Sequence, residues 1–259
     1  MPFAQLNDVR LHYRLDGDAT APVLALSNSL GTDLEMWEPQ IPALLREFRV
    51  LRYDTRGHGQ SEVTAGSYSI AMLAADVVAL LDHLALKSVH FCGLSMGGMT
   101  GMWLGANVPD RVQRLVLSNT SAHVPPADAW NNRIALVKAG GMTAIADTVM
   151  TRWFTAGFAA QKPSTVTAMK SMLERTPADG YVACCAAVRD MDQREEVAAI
   201  AAQTLVIAGA HDVATPPADG RYLAERIPAA QLVMLDAGHL SNIEAAAAYT
   251  DGVLSFLTS

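Results

Sequence analysis

Cysteine is scarce in this chain, with three residues in 259, at Cys92, Cys184 and Cys185. An odd count with two adjacent residues makes a poor disulfide framework. The expectation is reduced thiols used as core filler in a cytoplasmic protein. Cys92 sits inside a strand-like run, which argues against a nucleophilic role. Charge is thin as well: 17% of residues are Asp, Glu, Lys or Arg, the net is −7, and no Lys/Arg cluster stands out. That argues against nucleic acid and against an anionic membrane as partners. No uncharged run reaches the roughly 18 residues a bilayer span requires. The start, Met1-Pro-Phe-Ala-Gln, lacks the basic-then-apolar pattern of a signal peptide. Missing too is any His/Cys spacing of the kind that holds a metal.

Hydrophobic residues are plentiful, at 51%. Together with the length, that allows one large domain, or a core with a small insertion, and makes disorder a poor description.

Short apolar runs punctuate the chain. After a possible hairpin around "LNDVR", between Phe3 and Leu15, come Pro22–Asn28, Phe48–Asp54, Ser88–Gly93, Arg111–Asn119, Gln203–Gly209 and Ala230–Gly238. Continuous apolar runs of this length suit strands buried on both faces. Helical patterns lie between them: Ser69–Leu84 with a Ser start, Gly97–Pro109 stopped by proline, Pro216–Pro228, and Ser241–Leu257. Such alternation predicts an α/β fold, a mostly parallel central sheet of about eight strands flanked by helices. From about His123 to Gln193 no strand is evident. The segment reads as a helical cap over residues 123–193, inserted into a core of 1–122 and 194–259, because long excursions of this kind commonly build active-site lids. Extra helices packed on the sheet for stability are the alternative.

Within "HFCGLSMGGMTGMW", Ser95 stands between Gly93 and Gly97 at a strand-to-helix junction. A sharp turn there strains the backbone, and side chains two positions away would collide, so glycines relieve the crowding. The hydroxyl would be presented at a helix start, where backbone N–H groups favour negative charge. Alternatively, Ser95 merely caps the helix.

A serine needs a base to become a nucleophile. His239, in "DAGHLSN", and Asp212, in "GAHDVATPP", each follow a predicted strand, so both belong at the sheet edge that carries Ser95. The order Ser95, Asp212, His239 is the one this architecture uses. His58 reads as structural in a Gly-rich loop, His90 as mid-strand, and His211 as pointing elsewhere. Asp54 is expected to pair with Arg56 or a backbone amide, and Asp236 is a weaker acid. Two donors should hold the oxyanion: the backbone N–H groups of Met96, after the nucleophile, and of Leu30, after the "PVLALSN" strand. Each is worth roughly 3–4 kcal/mol of barrier.

The segments "NSLGTDLEMW", "DTRGHGQS", "GLSMGG", "GAHDVATPP" and "GHLSNIE" together resemble the α/β-hydrolase family over nearly the whole chain outside the cap. Within it the chain is similar to the enol-lactonases of bacterial aromatic catabolism. Asn28-Ser29 replaces the His-Gly common elsewhere in the family, a departure that fits this branch. The resemblance implies a small carboxylated lactone as substrate, hydrolysed through an acyl-enzyme, and no metal or organic cofactor. A carboxylate calls for a cation, and Arg133 at the start of the cap is the candidate, with an exposed helix Arg as the alternative. Trp153 would line the apolar part of the pocket, or fill the cap's core; Arg152 and Lys138 are weaker cations. A serine at position 95 disfavours dehalogenases and epoxide hydrolases, which use Asp there. Other readings are a carboxylesterase or thioesterase for another small acyl group, and a non-catalytic small-ligand-binding protein. Monomer and homo-oligomer are equally compatible with the pattern.

Overall fold

In the computed structural model, which describes residues 2–6 and 8–259, one eight-stranded sheet runs through the molecule. Its strands are β1 (Phe3–Gln5), β2 (Arg10–Asp16), β3 (Val23–Ser27), β4 (Arg49–Tyr53), β5 (Val89–Leu94), β6 (Val112–Ser118), β7 (Gln203–Gly209) and β8 (Ala230–Leu235). Their spatial order is β1-β2-β4-β3-β5-β6-β7-β8. β2 pairs antiparallel with β1 and β4, and every other pairing is parallel. The antiparallel β1–β2 pair agrees with the expected opening hairpin; Met1 and its residue Asn7 lie outside the described residues.

Helices α1 (Ile41–Leu44), α2 (Ile70–His83) and α3 (Met96–Asn107) connect the first strands. Next come α4 (Ala127–Gly140), α5 (Thr143–Trp153), α6 (Ala156–Gln161), α7 (Pro163–Arg175) and α8 (Ala178–Asp190), all between β6 and β7. The chain closes with α9 (Pro217–Arg226), α10 (Ser241–Glu244) and α11 (Ala246–Thr258). Ser69 starts α2 by accepting a hydrogen bond from the Met72 amide at 3.1 Å, which satisfies one of the first turn's free donors. The segment from β6 to β7 leaves and re-enters the sheet at one place, where His123 and Asp192 form an antiparallel bridge. Among the described residues, no helix is long and apolar enough to cross a membrane.

Two expectations need correction. β8 is not buried on both faces: it is the edge strand, and most of its side chains are partly or fully exposed. An apolar run reads alike in a central and an edge strand, because composition does not report how many neighbours a strand has. The final helix is not continuous either, since it breaks at Ala245 (φ −116°, ψ 46°) into α10 and α11. The cause is tertiary: the Glu244 carboxylate accepts hydrogen bonds from the amides of Gly238 and Thr155, at 3.0 and 3.2 Å, tying the last turn of α10 to two loops.

β3 and β5 are neighbours although β4 lies between them in sequence, so the chain reverses its direction of travel across the sheet there. Beyond the carboxyl ends of the strands at such a point, the two following loops diverge and leave a crevice. Those loops carry Asn28–Leu30 and Ser95. Two glycines bring them close. A Cβ on Gly97 would lie 2.1 Å from the Ser27 carbonyl oxygen, and one on Gly93 would lie 2.1 Å from that of Gly97. Both obstacles are backbone and cannot rotate away. Gly97→Ala is therefore expected to lower the unfolding free energy by at least ~3 kcal/mol, at the severe end for a single overpacking change. The midpoint in urea should fall at constant slope; an unmoved midpoint would contradict this close approach.

Candidate functional site

Ser95 has φ 58° and ψ −115°, a sparsely populated combination for a residue with a Cβ, costing on the order of 1–3 kcal/mol. The surroundings hold it there. Its amide donates to the Ser118 carbonyl at 2.9 Å, and its carbonyl accepts from Thr120 Oγ1 at 2.8 Å and from the Met99 amide at 3.0 Å. The Ser95 side chain makes no capping bond to α3, so the helix-cap reading fails. The hydroxyl instead faces a cavity that His239 and Leu30 also line.

His239 and Asp212 come together as their positions after β8 and β7 predict. His239 Nδ1 lies 2.8 Å from Asp212 Oδ2, with both side chains buried. Among the described residues no hydrogen bond joins Ser95 Oγ to His239, although both face the same cavity. Looseness of this kind is common in hydrolases without substrate, and tightens on binding. Asp212 is saturated with donors. Oδ1 accepts from the amides of Ala214 and Thr215 at 2.7 and 3.0 Å, and Oδ2 from Thr215 Oγ1 at 2.8 Å and Asn119 Nδ2 at 2.9 Å. Burial alone would push this carboxyl up. The His239 ring, with the hydrogen bonds from His239, Asn119 and Thr215, outweighs burial and holds it at about 2. An ionised Asp212 can only accept, so His239 Nδ1 must carry a proton and Nε2 is left free to take one.

Neither the Leu30 nor the Met96 amide is engaged by another protein group among the described residues. Each flanks the Ser95 elbow, one from the loop after β3 and one from the first turn of α3. The β3 loop is pinned on several sides. Gly97 N donates to the Asn28 carbonyl at 3.0 Å, Trp37 Nε1 to Asn28 Oδ1 at 2.8 Å, and Asn28 Nδ2 to the Tyr53 carbonyl at 2.8 Å. His58 Nε2 accepts from the Gly31 amide at 3.0 Å. Burial holds His58 down at about 4, more strongly than its contact with the Arg56 carbonyl and the nearby Asp54 charge raise it, so at neutral pH the ring is uncharged and able to accept. The structural reading of His58 thus gains a definite task.

The other candidates fall elsewhere. His211 bonds exposed Asp236 at 2.7 Å. Asp54 takes the backbone-amide alternative rather than Arg56: it accepts from the amides of Leu34 and Gln60, both at 2.8 Å, and bonds His12 Nδ1 at 2.7 Å. Arg56 pairs instead with Asp76 and Asp8. Cys92 is fully buried, contacts the Tyr249 hydroxyl, and is pushed up to about 12 by burial, which leaves a protonated, inert thiol.

Opposite the elbow, helices α4 and α5 contribute Arg133, Arg152 and Trp153 to the cavity wall. The Arg133 guanidinium lies 4.8 Å from the centre of the Trp130 ring. Burial, and then the Arg133 charge, act against the charge on Arg152. Among the described residues neither arginine is ion-paired with an acid. Lys138 faces a separate surface groove. Sequence reasoning missed Asn119 and Thr215, which hold the acid, and the part of His58 in supporting Gly31. A polar residue closing an apolar strand, as Asn119 does after "RLVLS", was the available signal.

The chain matches the alpha/beta hydrolase fold family over residues 22–246. It is 44% identical over 246 residues to 3-oxoadipate enol-lactonase 2 of Acinetobacter baylyi, covering 95% of this chain and 92% of that protein. The crystal structure of the enol-lactonase from Burkholderia xenovorans LB400 superposes with a TM-score of 0.98 at 47% identity, over the full length of both chains. A thermophilic esterase from Thermogutta terrifontis superposes at 0.93 with 27% identity, over 100% of this chain and 98% of that one.

Proposed function

The chain belongs to the α/β-hydrolase family, and from that premise we propose that it hydrolyses 3-oxoadipate enol-lactone to 3-oxoadipate. The observation that carries this reading is the meeting of two chemistries in one cavity. His239, paired with Asp212, lines it together with the Ser95 hydroxyl, and so do two arginines that, among the described residues, are not paired with an acid. A simple ester needs only the first. A carboxylated lactone also uses the second, since a guanidinium fork matches a carboxylate. The 44% identity to an enol-lactonase supports the same substrate.

The reaction follows from the proton inventory. His239 Nε2 takes the Ser95 proton as Oγ attacks the lactone carbonyl. The Leu30 and Met96 amides receive the developing oxyanion. Collapse breaks the ring C–O bond, and the enol oxygen leaves with the proton from His239 and becomes a ketone. Water, activated by the same imidazole, then cleaves the acyl-enzyme and restores Ser95. Asp212 stays ionised and stabilises the imidazolium. Arg133 holds the substrate carboxylate, and Trp153 forms the apolar wall.

In this reading residues 123–193 form a cap over the core of 1–122 and 194–259. The His123–Asp192 bridge at its base supports those limits, and the cavity residues on α4 and α5 support a part for this segment in substrate choice. Three buried, unpaired thiols fit a cytoplasmic enzyme, working in aromatic catabolism by the β-ketoadipate route.

Steady-state kinetics on the lactone and on aryl acetates tests the proposal. The lactone should be preferred by at least ~10-fold in kcat/KM, or about 1.4 kcal/mol in the transition state. Arg133→Ala should erase most of that preference while leaving aryl acetate hydrolysis nearly unchanged. Equal rates for both substrates would reject the lactone; stoichiometric or negligible turnover of every ester would make the protein a binder.

A further inference from the structure

We propose that Asn119 is a positioning residue that locks the acid and histidine loops together, acting through hydrogen-bond polarity rather than through shape. The inference rests on the triad reading above. Asn119 immediately follows β6, and its amide donates to the Ile207 carbonyl in β7 at 2.8 Å. Its φ is 44°, in the left-handed region that asparagine tolerates better than most residues with a side chain. That backbone turns the side chain toward the loops after β7 and β8.

Every polar atom of the Asn119 side chain is used. Nδ2 donates to Asp212 Oδ2 at 2.9 Å and to the Gly238 carbonyl at 3.1 Å, while Oδ1 accepts from Ser241 Oγ at 2.5 Å. The first two partners can only accept, so the amide orientation follows from chemistry alone. Gly238 and Ser241 bracket His239 on either side. One buried amide therefore fixes the acid, the backbone just before the base and the hydroxyl two residues after it. A Cβ on Gly209 would lie 3.0 Å from Nδ2 and 2.2 Å from the Gly238 oxygen, so the neighbouring strand end leaves room for this arrangement. Thr215 also donates to Asp212, but from the acid's own loop. Asn119 links the two loops to a third strand end.

This account separates polarity from volume. Asn119→Asp keeps the outline and the left-handed backbone, but sets a carboxylate against Asp212 and the Gly238 carbonyl, two acceptors. Asn119→Gly keeps the backbone and removes the amide. Both variants of the full chain, with Ser95→Ala as the reference, are assayed on the enol-lactone and an aryl acetate. Proton NMR of the His239 Nδ1–H bound to Asp212 gives a readout independent of turnover. Asn119→Gly is expected to lower kcat by ~10–100-fold with KM within ~3-fold, the scale on which partners that orient functional side chains act. Asn119→Asp is expected to lose more than Asn119→Gly, and the Nδ1 proton signal should shift or vanish in both. The inference is overturned if Asn119→Asp lies closer to the parent than Asn119→Gly, the order a space-filling role gives, or if both retain kcat within ~2-fold. Should Asn119→Asp fail to fold, the kcat of Asn119→Gly and its Nδ1 signal decide. Full activity in Ser95→Ala would instead remove the triad reading, and the inference with it.

Discussion

Ser95→Ala is expected to hydrolyse the enol-lactone ~10⁴–10⁶-fold more slowly than the parent protein, the scale on which a nucleophile of a cooperating triad is lost. The loss should be confined to chemistry. The Ser95 hydroxyl makes no capping bond, so the fold does not lean on it. What keeps the elbow in place is backbone: the Ser95 amide on the Ser118 carbonyl, and Thr120 Oγ1 with the Met99 amide on the Ser95 carbonyl. Alanine carries the same Cβ as serine, so the backbone strain at φ 58° is the parent's own and the substitution adds none. The variant should therefore melt cooperatively near the parent temperature and still bind the lactone, because the arginines opposite are untouched. A fluorophosphonate should label the parent at residue 95 and leave the variant unlabelled. Retention of more than a few per cent of kcat would mean that some other group attacks; Cys92 is not that group, because it is sealed in the core as a thiol.

The parts of the fold and site that were legible share one property: they depend on local sequence. β3, β5, β6 and β7 are sheathed on both faces, so their apolar runs admit little else. The Ser95 elbow declares itself because glycine is needed two residues away on either side, and Asp212 and His239 because each follows a strand. Illegible features are those decided by partners distant in sequence. The break at Ala245 comes from Glu244 reaching Thr155, 89 positions away, which no periodicity within the last helix reveals. Asp54 choosing His12 over the nearby Arg56, and Asn119 meeting Asp212 93 positions away, are of the same kind. A carboxylate's need for a cation singles out Arg133, and the aromatic run "RWF" singles out Trp153; both line the cavity with Ser95, as does Arg152, which among the described residues has no acid paired with it.

Asp212→Asn should lower kcat by ~10⁴-fold, as the equivalent change does in serine proteases of unrelated fold. Asp212 accepts on both oxygens: two backbone amides on Oδ1, and Thr215, Asn119 and His239 on Oδ2. An asparagine presents an NH2 on one side whichever way it turns. Facing the Ala214 and Thr215 amides, that NH2 would oppose two donors that cannot rotate. The better orientation sets it toward His239, where it opposes the Nδ1 proton. The ring relieves that conflict by moving its proton to Nε2, and a protonated Nε2 cannot accept the proton of Ser95. Catalysis fails because the tautomer is wrong, with every heavy atom close to its original place. Thr215 Oγ1 can turn to accept, but Asn119 Nδ2 cannot, so one buried donor pair stays opposed and a stability loss of about 1–3 kcal/mol should accompany the kinetic one. The pH dependence gives a separate check. Asp212 is held at about 2, below its ordinary value near 3.8, so the stability it contributes is complete above that ordinary value and disappears as pH falls through about 2. Melting temperatures of parent and variant should accordingly differ most near neutrality and converge toward pH 2. A constant gap across that range, or a variant with kcat within ~10-fold of the parent, would show that Asp212 does not set the His239 proton.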